Sequence, residues 1–363
     1  MIKKKILILG STGKLGTSLI NFCSKKNISI LGLTCYSNKK KLSRLQKKVN
    51  SHNNYALSNS DEKQNFIKFL KSYTFDIIYF LDYGSYSLKY LDIILINNTN
   101  SILAIANKEM LIAGGSILRK RISSTNNTLI PLDSEHFSLF RLFPNNNEIK
   151  KIYITASGGP FYFKKNINLD KVSFKSVLKH PKWKMGINNS IDSSNFINKI
   201  LEIFELSAIY DIDIRKIDFL ISKEAFIHSC VIFKDNTISI NCFSNNMLIP
   251  LLKPMSILFN LGNLNLNIKD NFNVNNFKLQ NFNDSRFKIP LKLNKIKKFN
   301  HSEQINFMIF NNLAHISYIK GDISYNKIPD FIFNKMKSCQ IKVNLKSFHD
   351  ILKYIKLLEK KYA

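Results

Sequence analysis

The chain has 363 residues, 45% hydrophobic and 22% charged, which is too long for one small domain and too apolar for a disordered chain. No stretch approaches the roughly 18 to 20 uncharged apolar residues of a membrane-spanning helix, and the apolar run before Gly10 is too short for a signal-peptide core. The net charge of +29 is spread along the chain rather than gathered in a stripe, and it comes with 28 Phe, one Trp and many Asn and Ile, so it reads as A/T-rich codon usage rather than a specific nucleic-acid footprint.

Such a surface still attracts phosphorylated small molecules. The five cysteines show no CxxC pair and an odd count, the pattern of free thiols in a reducing cytoplasm.

In chain order, Lys5 to Leu9 reads as a buried strand, Gly10 to Gly16 as a glycine-rich turn, and Lys14 to Lys25 as a helix. Ile28 to Leu33, Asp76 to Leu81 and Ser101 to Ala106 read as further short strands, with the block closing near Thr128 to Asp133. Strand, glycine turn, helix and strand make the parallel βαβ unit, so residues 1–133 are expected to form an α/β, Rossmann-like domain.

From Lys151 the texture changes. Lys151 to Thr155 is an expected strand, and a loop follows around His180. Asn195 to Tyr210 is an expected helix, on the spacing of Phe196, Ile197, Ile200, Leu201 and Phe204. Ala225 to Phe233 and Thr237 to Cys242 read as strands, giving an α+β central domain over 134–262. An Asn-rich linker is expected over 263–290. A small helical domain over 291–363 then follows from the spacing of Ile305, Met308, Ile309, Leu313 and Ile316.

Four constellations carry chemistry. Gly10-x-x-Gly13-x-x-Gly16 lets a backbone approach a pyrophosphate at a helix N-terminus, although an ordinary tight strand–helix turn has the same spacing. An NAD site wants an acid about 20 residues further on. Here Leu33 to Lys41 holds none, and Asn38 followed by three lysines suits a 2′-phosphate, or else is a solvated turn.

Asp133-Ser134-Glu135-His136 offers two carboxylates that, on an extended segment, would face one hard cation such as Mg²⁺ or Mn²⁺. His136 fits packing better than ligation. Asp192-Ser193-Ser194-Asn195 looks like a capped helix start, with Ser193, Asn198 and Lys199 able to converge on a phosphate and Glu202 able to supply a third carboxylate. Ser157-Gly158-Gly159 is another anion-binding shape, and equally a plain glycine turn.

Six segments occur in order: GSTGKLG (10–16), ANKEMLIAGG (106–115), PLDSEHFSLF (131–140), TASGGPF (155–161), HPKWKMG (180–186) and DSSNFINKILEIFE (192–205). Together they closely resemble the 1-deoxy-D-xylulose 5-phosphate reductoisomerase family, strongly to about residue 205 and weakly in the C-terminal helices. The resemblance implies an NADPH- and metal-dependent enzyme that converts 1-deoxy-D-xylulose 5-phosphate into 2-C-methyl-D-erythritol 4-phosphate, and a homodimer.

It implies that Thr12, Gly13, Lys14 and Leu15 lie on the NADPH pyrophosphate, with Asn38 by the 2′-phosphate. Asn107, Glu109 and Gly186 would touch the cofactor. Asp133, Glu135 and Glu202 would bind Mg²⁺ or Mn²⁺. Lys108 and Ser134 would hold the substrate near its reacting carbons, and Ser157, Ser193, Asn198 and Lys199 would grip its phosphate. His180 would contact the substrate, and Trp183 would cap it from a mobile loop. Tyr36 and Ser37 stand where the family usually has Gly and a basic residue.

Overall fold

The computed structural model describes residues 4–140, 148–181, 185–259, 277–341 and 343–362. These form two compact units: residues 1–140 with 246–269, and residues 141–245 with 270–363.

The first unit opens with β1 (Ile6–Leu9), α1 (Lys14–Lys25), β2 (Gly32–Cys35), α2 (Lys39–Lys48), β3 (Asn53–Ala56) and α3 (Ser60–Ser72). It continues with β4 (Ile77–Phe80), α4 (Leu88–Asn97), β5 (Ile102–Ile105), α5 (Lys108–Ser123), β6 (Thr128–Pro131) and α6 (Ser134–Phe140). The six strands form one parallel sheet in the order β3-β2-β1-β4-β5-β6, so strand order reverses across β1 and β4. The four side chains of β1 are fully buried, each stabilising the unit by about 1.5 to 3 kcal/mol. A continuous apolar run fits a central parallel strand because helices cover both of its faces.

The second unit carries β7 (Ile149–Ala156), α7 (Phe174–Val177), α8 (Ile187–Ser194), α9 (Ile197–Tyr210), β8 (Ile217–Ile221), β9 (Ile227–Phe233) and β10 (Ile238–Cys242). Its sheet runs β10-β9-β7-β8, with β7 parallel to β8 and antiparallel to β9. The chain then rejoins the first unit through α10 (Leu248–Leu258). There the buried Tyr79 hydroxyl donates to Leu251 O at 3.1 Å, and Cys23 Sγ lies 3.9 Å from Met255 Sδ. Both α6 and α10, expected in the central domain, thus pack with the first unit. The helices α11 (Leu293–Ile296), α12 (His301–Lys320), α13 (Ile328–Ser338) and α14 (Phe348–Tyr362) belong to the second unit.

Several expectations shift. The second strand begins at Gly32, not Ile28, because the chain is still closing α1: Ile28 N donates to Cys23 O at 2.8 Å and Asn27 is left-handed. Ala225 sits in a turn at φ +52°, its amide bonded to Ser222 O, so β9 starts at Ile227. On α12, Ile305, Met308 and Ile309 are buried, but Ile316 is 49% exposed.

Of the expected linker, residues 263–276 lie outside the described residues. The rest of that segment is packed: Gln280 bridges Ile221, and the rings of Phe282 and Phe287 meet Phe196 at 5.1 and 4.9 Å. No helix among the described residues is long and apolar enough to cross a membrane.

Candidate active site

The glycine turn lies where β1 passes into α1. Gly10 has φ +82°, and a Cβ there would meet Asp82 N at 2.4 Å, so the turn presses on the end of β4 and only glycine fits. Gly13 is the N-cap of α1 and offers no side-chain cap, while Gly13 and Lys14 are exposed and Thr12 and Leu15 half-buried. This leaves the positive end of α1 facing outward, as a pyrophosphate requires.

Asn38, expected beside a 2′-phosphate, caps α2 by accepting from Lys41 N at 3.0 Å. Lys41 Nζ donates to Thr12 O at 2.8 Å. Lys39 is ion-paired with Glu62 in the first turn of α3. An acid absent from the sequence just after β2 is thus supplied by α3.

Asn107 caps α5 by accepting from Met110 N at 2.9 Å, and its amide donates to Gly84 O at 2.9 Å and to Asp82 Oδ1 at 3.4 Å. Asp82, which sequence reasoning missed, also accepts from the Ser87 hydroxyl, and burial raises its carboxyl above the ordinary range. Its signal was an acid directly after an apolar strand, in DYG.

Lys108 and Glu109 are buried at the start of α5. Lys108 Nζ lies 3.8 Å from Asp133 Oδ2. Asp133 sits just before α6, its carbonyl taking Phe137 N at 2.8 Å and its carboxylate taking Glu135 N at 3.3 Å. The expected extended arrangement of Asp133 and Glu135 is thus replaced by a helix start, because Asp133 caps a new turn. Ser134 Oγ donates to Glu135 Oε2 at 2.5 Å. His136 is fully buried, with Nδ1 3.4 Å from Asp133 Oδ1.

In the second unit, Asp192-Ser193-Ser194 closes α8, a helix the sequence reading did not foresee, instead of opening α9. Gly186 is its N-cap, with open space where a Cβ would stand. Phe196 then turns left-handed at φ +68°, its ring buried, and α9 starts afresh with Asn195 Oδ1 accepting from Ile197 N at 3.0 Å. Within the otherwise buried run 191–200, only Ser193 and Asn198 keep partial exposure.

Gly159, at φ +58°, lies against Ser193; a Cβ there would strike Ser193 O at 2.7 Å. The Ser157 turn and Ser193 are thereby neighbours. Ser157 Oγ also lies 3.1 Å from His180 Nε2. Burial, and then the charge of Lys199, lowers the His180 pKa to about 4, so its imidazole is neutral near pH 7.

On α9, Lys199 Nζ pairs with Glu202 Oε2 at 2.5 Å, and the Asn198 amide donates to Glu202 Oε1. Spacings of three and four residues bring these groups together on one helix face. Lys199 is 7% and Glu202 1% exposed. Trp183 lies outside the described residues.

Sequence reasoning also missed what holds α8. Asp192 is buried and accepts from Asn311 Nδ2 at 2.9 Å and from His315 Nε2 at 2.8 Å, both on α12. Tyr325 OH donates to Ser194 O at 2.7 Å. The i, i+4 pair Asn311 and His315, polar within an apolar helix, was the available signal.

The strand order, the outward-facing glycine turn and the second α+β unit define the class: a doubly wound α/β protein of dinucleotide-binding architecture with an appended α+β unit. The family model of the 1-deoxy-D-xylulose 5-phosphate reductoisomerase C-terminal domain matches residues 129–210. A 1-deoxy-D-xylulose 5-phosphate reductoisomerase of Pelagibacter ubique is 31% identical, over 98% of either chain. That of Malacoplasma penetrans is 35% identical over 69% of this chain and 65% of its own.

The fold matches the solved Zymomonas mobilis reductoisomerase in complex with NADPH at a TM-score of 0.82, with 22% identity over 98% of this chain and 97% of that one. It also matches a reductoisomerase in complex with NADPH, fosmidomycin and magnesium at 0.81, with 20% identity over 98% and 97%. The chain belongs to the 1-deoxy-D-xylulose 5-phosphate reductoisomerase family.

Proposed function

We propose that this chain rearranges and reduces 1-deoxy-D-xylulose 5-phosphate to 2-C-methyl-D-erythritol 4-phosphate in the non-mevalonate isoprenoid pathway, with NADPH and one divalent cation. The observation that carries the reading is family membership extending over 98% of the chain.

Residues 1–133 supply most of the NADPH site, with Thr12, Gly13, Lys14 and Leu15 on the pyrophosphate and Asn107 and Glu109 flanking the cofactor, to which Gly186 adds a contact. Residues 134–262, with Lys108 and Asp133, carry the chemistry, and 291–363 close the chain as helices. The enzyme works as a homodimer in the cytoplasm; five free cysteines support a reducing compartment.

Asp133, Glu135 and Glu202 hold the cation. The donor set fits a hard ion: all are carboxylates, and Glu202 is buried in a chain with only 25 acids. Bound there, Mg²⁺ or Mn²⁺ would supply Lewis acidity to the substrate's carbonyl and hydroxyl oxygens during a retro-aldol and aldol rearrangement. Bound NADPH would supply the hydride for the reduction.

Lys108 and Ser134 orient the reacting end of the substrate. Ser157, Ser193, Asn198 and Lys199 grip the phosphate, and the partial exposure of Ser193 and Asn198 supports this. Substrate phosphate competes with Glu202 for Lys199, which couples phosphate binding to release of that carboxylate. His180, neutral near pH 7 and bonded to Ser157, contacts the substrate as a hydrogen-bonding group rather than a cation. Trp183 caps the substrate from the loop, and remote phosphate binding energy closes that loop and excludes water.

The test is NADPH oxidation by the purified full chain with 1-deoxy-D-xylulose 5-phosphate and Mg²⁺. Substrate-dependent oxidation with a stoichiometric methylerythritol phosphate product is expected. No product, alongside tight retention of nucleic acid at physiological salt, would overturn the reading in favour of a polyanion-binding scaffold.

A further inference from the structure

In this fold the adenosine ribose of a dinucleotide lies beyond the C-terminal end of the second strand, where an acid selects NADH and cations select NADPH. β2 and β3 run parallel with Cys35 opposite Ala56, so their ends share one edge. Glu62 folds back onto that edge from α3: Oε2 accepts from Ala56 N at 2.5 Å, and Oε1 meets Lys39 Nζ. The backbone bond anchors the carboxylate, and Lys39 holds it below the usual carboxylate range.

Two other groups near this edge are engaged. Lys41 Nζ is on Thr12 O, and the Asn38 carboxamide oxygen caps α2. Lys40 is exposed. Lys39 is the cation at the first position of α2, and Glu62 neutralises it.

We propose that Glu62 is a specificity-determining residue of the cofactor site, sharing Lys39 with the adenosine 2′-phosphate and thereby narrowing the preference for NADPH over NADH. This deepens the cofactor reading above and rests on it. The pair is solvent-accessible, with Lys39 59% and Glu62 30% exposed at the side chain, so Lys39 can leave Glu62 when a phosphate arrives. With NADH no phosphate competes, and the carboxylate is tolerated beside the ribose.

The experiment compares the full-length protein with Glu62→Gln and Lys39→Met. Dissociation constants for NADPH and NADH are measured by calorimetry without sugar phosphate, and kcat/KM for both cofactors with it. Glutamine keeps an oxygen for Ala56 N but loses the charge. Removing one negative charge close to a dianionic phosphate should raise the NADPH-to-NADH binding ratio about five- to tenfold. Lys39→Met should weaken NADPH by a similar factor and leave NADH unchanged.

The proposal is overturned if Glu62→Gln leaves the ratio unchanged or lowers it, or if Lys39→Met weakens both cofactors alike. Because binding is read apart from turnover, the two readings fail separately. A protein with the shifted binding ratio but no product refutes the reaction and supports Glu62. An active enzyme whose ratio ignores Glu62→Gln does the reverse.

Discussion

Replacing His315 by Leu removes one of two side-chain donors that the buried Asp192 carboxylate receives from α12. Asp192 is 4% exposed and His315 1%, with the bond at 2.8 Å; the Asn311 bond at 2.9 Å remains. A hydrogen bond to a charged group is worth about 1.5 to 3 kcal/mol, and leaving a buried charge short of a partner adds to that loss. We expect a loss of about 2 to 3 kcal/mol. In a unit of roughly 200 residues this lowers the melting temperature by about 5 to 10 °C.

Denaturant unfolding of His315→Leu, Asp192→Asn and the double variant completes the cycle. The double variant should lose clearly less than the sum of the singles, because they delete one interaction. Asp192 directly precedes Ser193, so the Michaelis constant for sugar phosphate should rise more than kcat falls, with NADPH affinity unchanged. Strict additivity, or a His315→Leu protein as stable as the parent with an unmoved Michaelis constant, would refute the reasoning.

The remaining predictions concern the proposed site. Glu135→Gln should abolish turnover while nearly preserving NADPH binding, since it removes one of the carboxylates proposed to hold the cation; full activity after chelator treatment would remove the metal role. Lys199→Ala should weaken substrate binding about tenfold or more, and an unchanged Michaelis constant and rate would move the phosphate site elsewhere. The folded pKa of His180, about 4 against an ordinary 6.5, means the unfolded chain binds the extra proton first. Its contribution therefore costs stability as pH falls from about 6.5 toward 4. His180→Gln should flatten that part of the stability–pH curve, and an unaltered curve would count against the buried neutral imidazole. Trp183, the single tryptophan, should change its emission when NADPH and fosmidomycin are added; a signal unmoved by saturating ligand would show that it is no lid.

The first unit was legible because its cues are short-range. Apolar runs of four to six residues, the glycine turn after β1 and helical spacing along α1 are local chemistry, and β1, α1, β4 and β5 formed within a residue or two of expectation. The elements misjudged were those whose local preference met a competing partner. Ile28 is apolar enough for a strand, yet its amide closes α1 instead. Asp133 and Glu135 look alternating, yet Asp133 caps a helix. DSSN has the composition of a helix start, yet it closes α8 because Phe196 turns left-handed to bury its ring among Tyr162, Phe219, Phe282 and Phe287.

By itself the sequence determined the α/β class, the glycine turn and the family resemblance. These rest on residue type and on spacing within one element, which the backbone's fixed periodicities turn into geometry without further help. Only the tertiary structure decided the partners. Glu62 reaches Lys39 because parallel pairing sets the ends of β2 and β3 side by side, across 23 residues of chain. His315 reaches Asp192 because α12 packs on α8, 123 residues away. What such pairs contribute depends on how far they are buried, set against the entropy lost in closing long stretches of chain, and neither quantity is defined until the fold exists.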